Sequence, residues 1–213
     1  MTTLNTPSIA IFDYGAGNLF SLKAALQRNG ARRVSIVKDF KAIKNFGGLV
    51  LPGVGNFDPA LKSIEPQKDL LIKAIENAAD GRGAPILGIC LGMELLFDKS
   101  EEGVLDGLKA LAGQVVMLTG TRIKVPHMGW NNLQLIKKSS RLLHGVKDGS
   151  WVYFVHSYRT KPKDSSLVAA NFRYGAKIPA VVERGSLFGT QFHPEKSGFI
   201  GAILIRNFLK ACY

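Results

Sequence analysis

Cysteine is nearly absent: the 213 residues hold two, Cys90 and Cys212. That is too few for a disulfide framework, so a reducing compartment, the cytoplasm, is the expected location. Acidic residues are scarce too, 16 against 28 Lys plus Arg, which leaves a formal charge of +12. Long apolar runs are missing. Ile9 to Phe12 is far too short for a signal core, and nothing approaches the roughly 20 apolar residues of a membrane span. No His, Cys, Asp or Glu cluster has metal-ligand spacing, so neither a metal nor another cofactor is expected. Repeats and low-complexity tracts do not occur. What is present is a globular composition, 46% apolar and 21% charged, at a length that suits one domain covering residues 1–213.

The positive excess is local. Between residues 107 and 182 there are twelve Lys or Arg and only two acids, Asp148 and Asp164. These cations occur singly or in pairs, such as Lys137 and Lys138, inside strand-like sequence. They read as a solvated basic face or a surface for an acidic partner. No helix-turn-helix, zinc-finger spacing or aromatic RNA-binding motif accompanies them, so a nucleic-acid partner is not expected.

The first hundred residues alternate between strand and helix patterns. Ser8–Asp13 reads as a strand, and Asn18 can cap a helix to about Asn29 that ends at Gly30. Val34–Val37 and Leu49–Leu51 read as the next strands. A helix from about Gln67 to Ala79 is predicted to turn Leu70, Leu71, Ala74 and Ile75 inward. Pro85–Ile89 is a fully apolar strand, followed by a helical run from Met93 to Phe97. After Gly113 the pattern turns to strands: Val115–Leu118, Leu133–Ile136, Trp151–Val155, Leu167–Phe172, Val181–Glu183 and Leu187–Phe192. A helix from about Gly198 to Lys210 closes the chain. The prediction is an α/β single domain with a mixed, mostly parallel sheet flanked by helices.

Gly88-Ile89-Cys90-Leu91-Gly92 sits between a buried strand and a helical run. This is the cysteine form of a nucleophile elbow, where glycines permit a tight turn and Cys90 stands above the strand ends. A helix N-terminus beside the sulfur would favour thiolate. A buried core cysteine is the alternative reading. Cys212 has no comparable setting. His193-Pro194-Glu195 follows the apolar strand Leu187–Phe192, and residues two apart in an extended segment project to the same side. Imidazole can take the thiol proton and return it to a leaving amine, while a carboxylate on its other nitrogen fixes the tautomer. His127 follows a proline with no acid nearby, His144 sits in a basic loop and His156 ends an apolar strand, and all three read as structural. Thiolate attack on an amide needs N–H donors for the developing oxyanion. Leu91 N–H offers one, and Gly53-Val54-Gly55 can supply another, the flanking glycines letting the Val54 peptide reorient.

These segments resemble the class I (triad) glutamine amidotransferases, whose fold is flavodoxin-like. Within them the resemblance is nearest to the glutaminase-subunit family of imidazole glycerol phosphate synthase, in histidine biosynthesis. It is carried by Asp13 to Leu19, Pro52 to Gly55, Gly88 to Gly92, Pro126-His127-Met128-Gly129-Trp130-Asn131, Tyr153 to Tyr158, and Gly189 to Gly198. The resemblance implies a glutaminase type-1 domain with Cys90, His193 and Glu195 as its triad. Gly53, Val54, Gly55 and Leu91 would form the oxyanion site and switch, and Ser157 and Tyr158 would contact glutamine. Asn18, Trp130 and Lys196 would face a heterodimeric cyclase partner, a (β/α)₈ barrel that takes the ammonia. One position departs from the family pattern: Glu94 stands where Gln is usual, four residues after the nucleophile. Its carboxylate should point into the glutamine site, raise the Cys90 pKa, and either repel the substrate carboxylate or bind its ammonium. A paralogous glutaminase feeding another acceptor, or an impaired scaffold protein, are the other functions this pattern allows.

Overall fold

Apolar side chains alternate along the first strand, Ile9 and Ile11 to one face and Ala10 and Phe12 to the other, and each set enters a different core cluster. In an extended chain this period of two means a sheet buried on both sides. The computed structural model describes residues 7–121 and 123–213. Its strands are β1 (Ser8–Phe12), β2 (Arg33–Val37), β3 (Gly48–Leu51), β4 (Ile86–Ile89), β5 (Phe97–Ser100), β6 (Leu111–Met117) and β7 (His127–Asn132). They continue with β8 (Gln134–Leu135), β9 (Trp151–His156), β10 (Tyr158–Pro162), β11 (Val168–Tyr174), β12 (Ala176–Arg184) and β13 (Leu187–Thr190). The α-helices are α1 (Leu19–Arg28), α2 (Phe57–Ile64), α3 (Lys68–Ala79), α4 (Leu91–Glu94) and α5 (Gly198–Ala211).

An eight-stranded sheet, ordered β2-β1-β3-β4-β13-β12-β11-β8, forms the spine. From β2 to β13 all neighbours are parallel, and from β13 to β8 all are antiparallel. The expected mixed sheet is therefore present. One core joins its first face to Leu22 and Leu26 of α1 and Leu204, Ile205 and Phe208 of α5. The other covers the opposite face with Phe57 and Leu61 of α2 and Leu71 and Ile75 of α3. β5, β6 and β10 make a three-stranded sheet, and β7 and β9 a two-stranded one. No described helix is long and apolar enough to cross a membrane.

The parallel half follows the sequence reading closely, while other elements differ. Asn18 does cap α1, accepting from Ser21 N–H at 3.1 Å. Leu70, predicted to face inward, is 41% exposed: α3 buries the stripe through Leu71, Ile75, Ala78 and Ala79 instead. The helical run expected from Met93 to Phe97 is only Leu91–Glu94, and Phe97 already opens β5. Its carbonyl and that of Leu96 take hydrogen bonds from the returning chain at Lys109–Leu111, which pulls the segment into extended pairing. α2, β7 and β10 lie outside every predicted element.

Candidate active site

Because β1, β3, β4 and β13 run parallel, their C-terminal ends open at one edge of the sheet, where ligands of such sheets bind. The four loops leaving that edge carry Tyr14–Gly17, Gly53–Gly55, Cys90 and Gln191–His193.

Cys90 follows β4 with φ 51° and ψ −110°, a strained conformation for a residue with a Cβ. The turn is held by Cys90 N–H donating to Thr190 O at 2.7 Å, and by Met93 and Glu94 N–H donating to Cys90 O at 2.9 and 3.0 Å. The backbones beneath it are too close for side chains. A Cβ on Gly92 would overlap the Leu51 carbonyl, and one on Gly53 would lie 2.5 Å from Gly92 N. The Cys90 thiol points at Val155 O, 3.7 Å away, with the Gln191 side-chain amide nitrogen at 3.9 Å.

Three residues after β13, His193 is buried to 1% exposure. Its backbone N–H donates to Tyr153 O at 3.0 Å. Ser197 Oγ donates to His193 O at 2.7 Å and accepts from Tyr153 N–H at 3.0 Å, locking the segment to β9. The ring's Nδ1 lies 2.9 Å from Glu195 Oε1, as the spacing of two predicted. The other ring nitrogen, Nε2, is buried without a hydrogen-bond partner. A histidine oriented by a carboxylate on one side and bare on the other is poised to exchange a proton.

A cavity of about 190 Å³ opens beside the sulfur, lined among others by Cys90, Leu91, Val54, Glu94, Glu102 and Tyr158. Gly55 and Ser157 complete the set of expected residues there. A crevice of about 10 Å³ next to it is bordered by Asn18, Gly53, Val54, His193 and Glu195, so Val54 separates the two. Gly17 N–H holds the Val54 carbonyl at 3.1 Å. Trp130 and Lys196 line neither space. Both flank Tyr153 on the outside, the Trp130 ring 6.0 Å from it and the Lys196 ammonium 5.8 Å above it.

The electrostatics depart from the sequence reading at one point. A helix N-terminus was expected to favour thiolate, yet burial, and next the Glu94 carboxylate, push the Cys90 thiol well above its usual range. The Leu91 N–H and Gln191 lower it but do not prevail, and a four-residue helix has little dipole to add. Glu94 itself is buried, and its Oε1 accepts from Gln191 Nε2 at 2.8 Å. Burial raises its carboxyl to about 7, the Gln191 bond opposing that rise. Tyr14, buried under the same loop edge, donates its hydroxyl to Pro52 O, and burial raises its pKa.

Glu102, Gln191 and Tyr14 are the residues that sequence reasoning missed. Glu102 carried no local signal, because it follows β5, a strand that no pattern announced. Its Oε2 accepts from Phe57 N–H at 3.0 Å, and burial raises its pKa. Tyr14 and Gln191 lie inside segments that carry the family resemblance, but no local pattern assigns either of them a role. Cys212 lies at the end of α5, where burial lifts its thiol to about 12. Among the described residues, no three His, Cys, Asp or Glu side chains gather closely enough to hold a metal ion.

Comparison with known proteins shows the family. The family model for class-I glutamine amidotransferases matches residues 10–212. A protein of Geobacillus kaustophilus (strain HTA426), imidazole glycerol phosphate synthase subunit HisH, is 47% identical over 94% of this chain and 95% of its own. The protein of that name from Halobacterium salinarum is 46% identical over 96% and 94%. Among solved structures, PurLQS from Thermotoga maritima superposes with a TM-score of 0.71 at 21% identity, covering 96% of this chain and 98% of that one. The glutaminase domain of Trypanosoma brucei CTPS, solved with bound acivicin, gives 0.66 at 18%, covering 97% and 94%. At such identities the structures speak to the fold alone.

Proposed function

The chain belongs to the class-I glutamine amidotransferase family, and from that premise we propose that it is the glutaminase subunit of imidazole glycerol phosphate synthase. It hydrolyses glutamine to glutamate and ammonia, and residues 1–213 act as one domain. The observation that carries this reading is His193, clamped by Glu195 at 2.9 Å with a bare, buried Nε2, three residues beyond β13, the strand that pairs with β4 beneath the Cys90 elbow.

Cys90 Sγ attacks the side-chain amide carbon of glutamine as His193 takes the thiol proton. The C–N bond then breaks, and ammonia leaves with the proton that His193 returns. Water, activated by the same imidazole, hydrolyses the γ-glutamyl thioester to glutamate and frees the thiol. Glu195 holds the ring and stabilises its charged form. The raised thiol pKa means that the resting enzyme keeps a thiol, so deprotonation is coupled to substrate attack. Leu91 N–H and the Val54 peptide serve the oxyanion. The Val54 carbonyl, held by Gly17, ties that peptide's orientation to the loop after β1. Ser157 and Tyr158 contact the bound glutamine, and the Glu102 carboxylate suits its α-ammonium.

Ammonia passes to a cyclase partner, a (β/α)₈ barrel, in a cytoplasmic heterodimer. The edge around the site favours such a partner. Phe20 in the first turn of α1, Phe199 in the first turn of α5 and Trp130 on β7 are 80%, 75% and 51% exposed, with Asn18 and Lys196 among them. Solvent-facing aromatics in a group are typical of interaction surfaces.

The direct test is glutamate release measured alone and with the cyclase and its nucleotide substrate. Little release alone and at least tenfold more in the complex is expected, with Cys90→Ser abolishing both. Strong release without the partner would contradict the gated, two-component reading.

A further inference from the structure

Two histidines outside the triad form a hydrogen-bonded chain that ends on the wall of the glutamine cavity. His127 on β7 and His156 on β9 are cross-strand neighbours. His127 Nδ1 lies 3.0 Å from His156 Nε2, and His156 Nδ1 lies 2.6 Å from Tyr158 O. A carbonyl oxygen can only accept, so His156 Nδ1 carries the proton. In a neutral ring Nε2 is then an acceptor, and His127 Nδ1 must be the donor. One backbone carbonyl thus fixes the tautomers of both rings. Neutrality follows from burial, which holds each histidine near a pKa of about 4.

The chain ends where the backbone changes sheets. β9 belongs to the two-stranded sheet and β10 to the three-stranded one, with Ser157 alone between them. The His156 bond to Tyr158 O spans that single residue and closes the bend. Ser157 and Tyr158 line the cavity beside Cys90, and Val155, one residue before His156, accepts the Cys90 thiol through its carbonyl. At the other end the His127 ring stacks on Tyr174 at 4.0 Å and on Phe172 at 5.4 Å, which fixes its plane. The Tyr174 hydroxyl in turn donates to Lys124 O at 2.7 Å and accepts from Lys124 N–H at 3.1 Å, just ahead of β7. Phenyl rings would fill this aromatic box as well as imidazoles and would need no buried polar chain.

We propose that His127 and His156 are positioning residues for glutamine: the chain through their rings sets the Ser157–Tyr158 bend, and with it the substrate wall. The inference rests on the glutaminase reading only for the identity of the substrate. Two experiments decide it. In ¹⁵N spectra of the whole chain, both rings should be neutral Nδ1–H tautomers at pH 6, and an Nε2–H tautomer for His156 would overturn the proposal. This readout does not depend on any activity, so a protein without glutaminase activity would fail the functional reading and still be judged here.

Kinetics in the complex with the cyclase form the second arm. His127→Phe keeps the stack and removes the donor. It should raise KM for glutamine about three- to tenfold while kcat stays within about twofold. His127→Asn, whose amide nitrogen reaches the place of Nδ1, should restore KM to within about twofold of the original. An unchanged KM in the Phe variant, or an Asn variant as impaired as Phe, would overturn the proposal. If the Phe variant does not fold, the tautomers and the Asn variant carry the decision.

Discussion

The two sides of the glutamine cavity are built on different principles. On the elbow side, beneath Cys90, the backbones of β3, β4 and α4 touch directly, and glycine is the only residue that fits at Gly53 and Gly92. On the wall side, β7, β9 and β10 are held by rings and hydrogen bonds: His127 against Tyr174 and Phe172, His156 to Tyr158 O. Backbone contact is all-or-none, whereas side-chain positioning can be lost by degrees. The nucleophile therefore has one place to stand, and the surface that grips the substrate can be tuned.

The sharpest way to break that contrast is Gly92→Ala. Its Cβ meets the Leu51 carbonyl, a main-chain atom in a central strand that cannot rotate away. We expect a loss of about 4 kcal/mol or more, seen as insoluble protein or a collapsed thermal transition. A Gly92→Ala protein melting with the parent would show that the elbow is not set by backbone contact.

Glu94→Gln gives the next largest effect. A buried carboxyl raised to about 7 binds its proton in the folded state between its unfolded value of 4.5 and 7. Stability therefore falls as pH rises through that window, by up to about 3 kcal/mol. Glu94→Gln keeps the acceptor for Gln191 and removes the charge. It should melt higher than the parent at pH 8 and equally at pH 4.5, and Cys90 should be alkylated faster by iodoacetamide at pH 8. Its KM for glutamine should change as well. Equal alkylation rates would show that Glu94 does not set the thiol.

On the wall the pH effect has the opposite sign, and a single substitution removes only one ring's share of it. His127 and His156 are lowered from 6.5 to about 4, so the unfolded chain binds protons that the folded chain refuses. Stability then falls as pH drops from 6.5 toward 4, by at most ~1.4 kcal/mol per unit for each ring. Urea titrations at pH 6.5, 5.5 and 4.5 should show this slope, and His127→Phe should lessen it. A slope identical in both proteins would remove the dyad from the acid response.

The same contrast explains what was legible in the sequence. The elbow is local: Gly88 to Gly92 after an apolar strand specifies its own geometry, and the spacing of His193 and Glu195 specifies theirs. The central parallel strands β1, β3 and β4 announce themselves as short apolar runs buried on both faces. The wall is made of pairings between distant segments. β5 and β10 are short and partly polar, and β7 reads as a polar loop containing Trp130, so no local pattern marks them. Glu102 was lost with β5. At the thiol the sequence offers two opposed influences, the Glu94 carboxylate raising its pKa and the helix N-terminus lowering it; burial, a tertiary fact, sides with Glu94 and outweighs a four-residue helix.

The conformation of Cys90 has a consequence for selection. At φ 51° a residue with a Cβ costs about 1–3 kcal/mol relative to glycine, which is at ease there. Cys90→Gly should therefore raise the melting temperature while ending thioester chemistry, and an unchanged or lower melting point would argue against the strain. In a lineage that no longer needed glutamine-derived ammonia, drift would find a more stable chain one codon change away. The strained turn persists only while the reaction is under selection, so a cysteine kept at this position is itself a record of continued use.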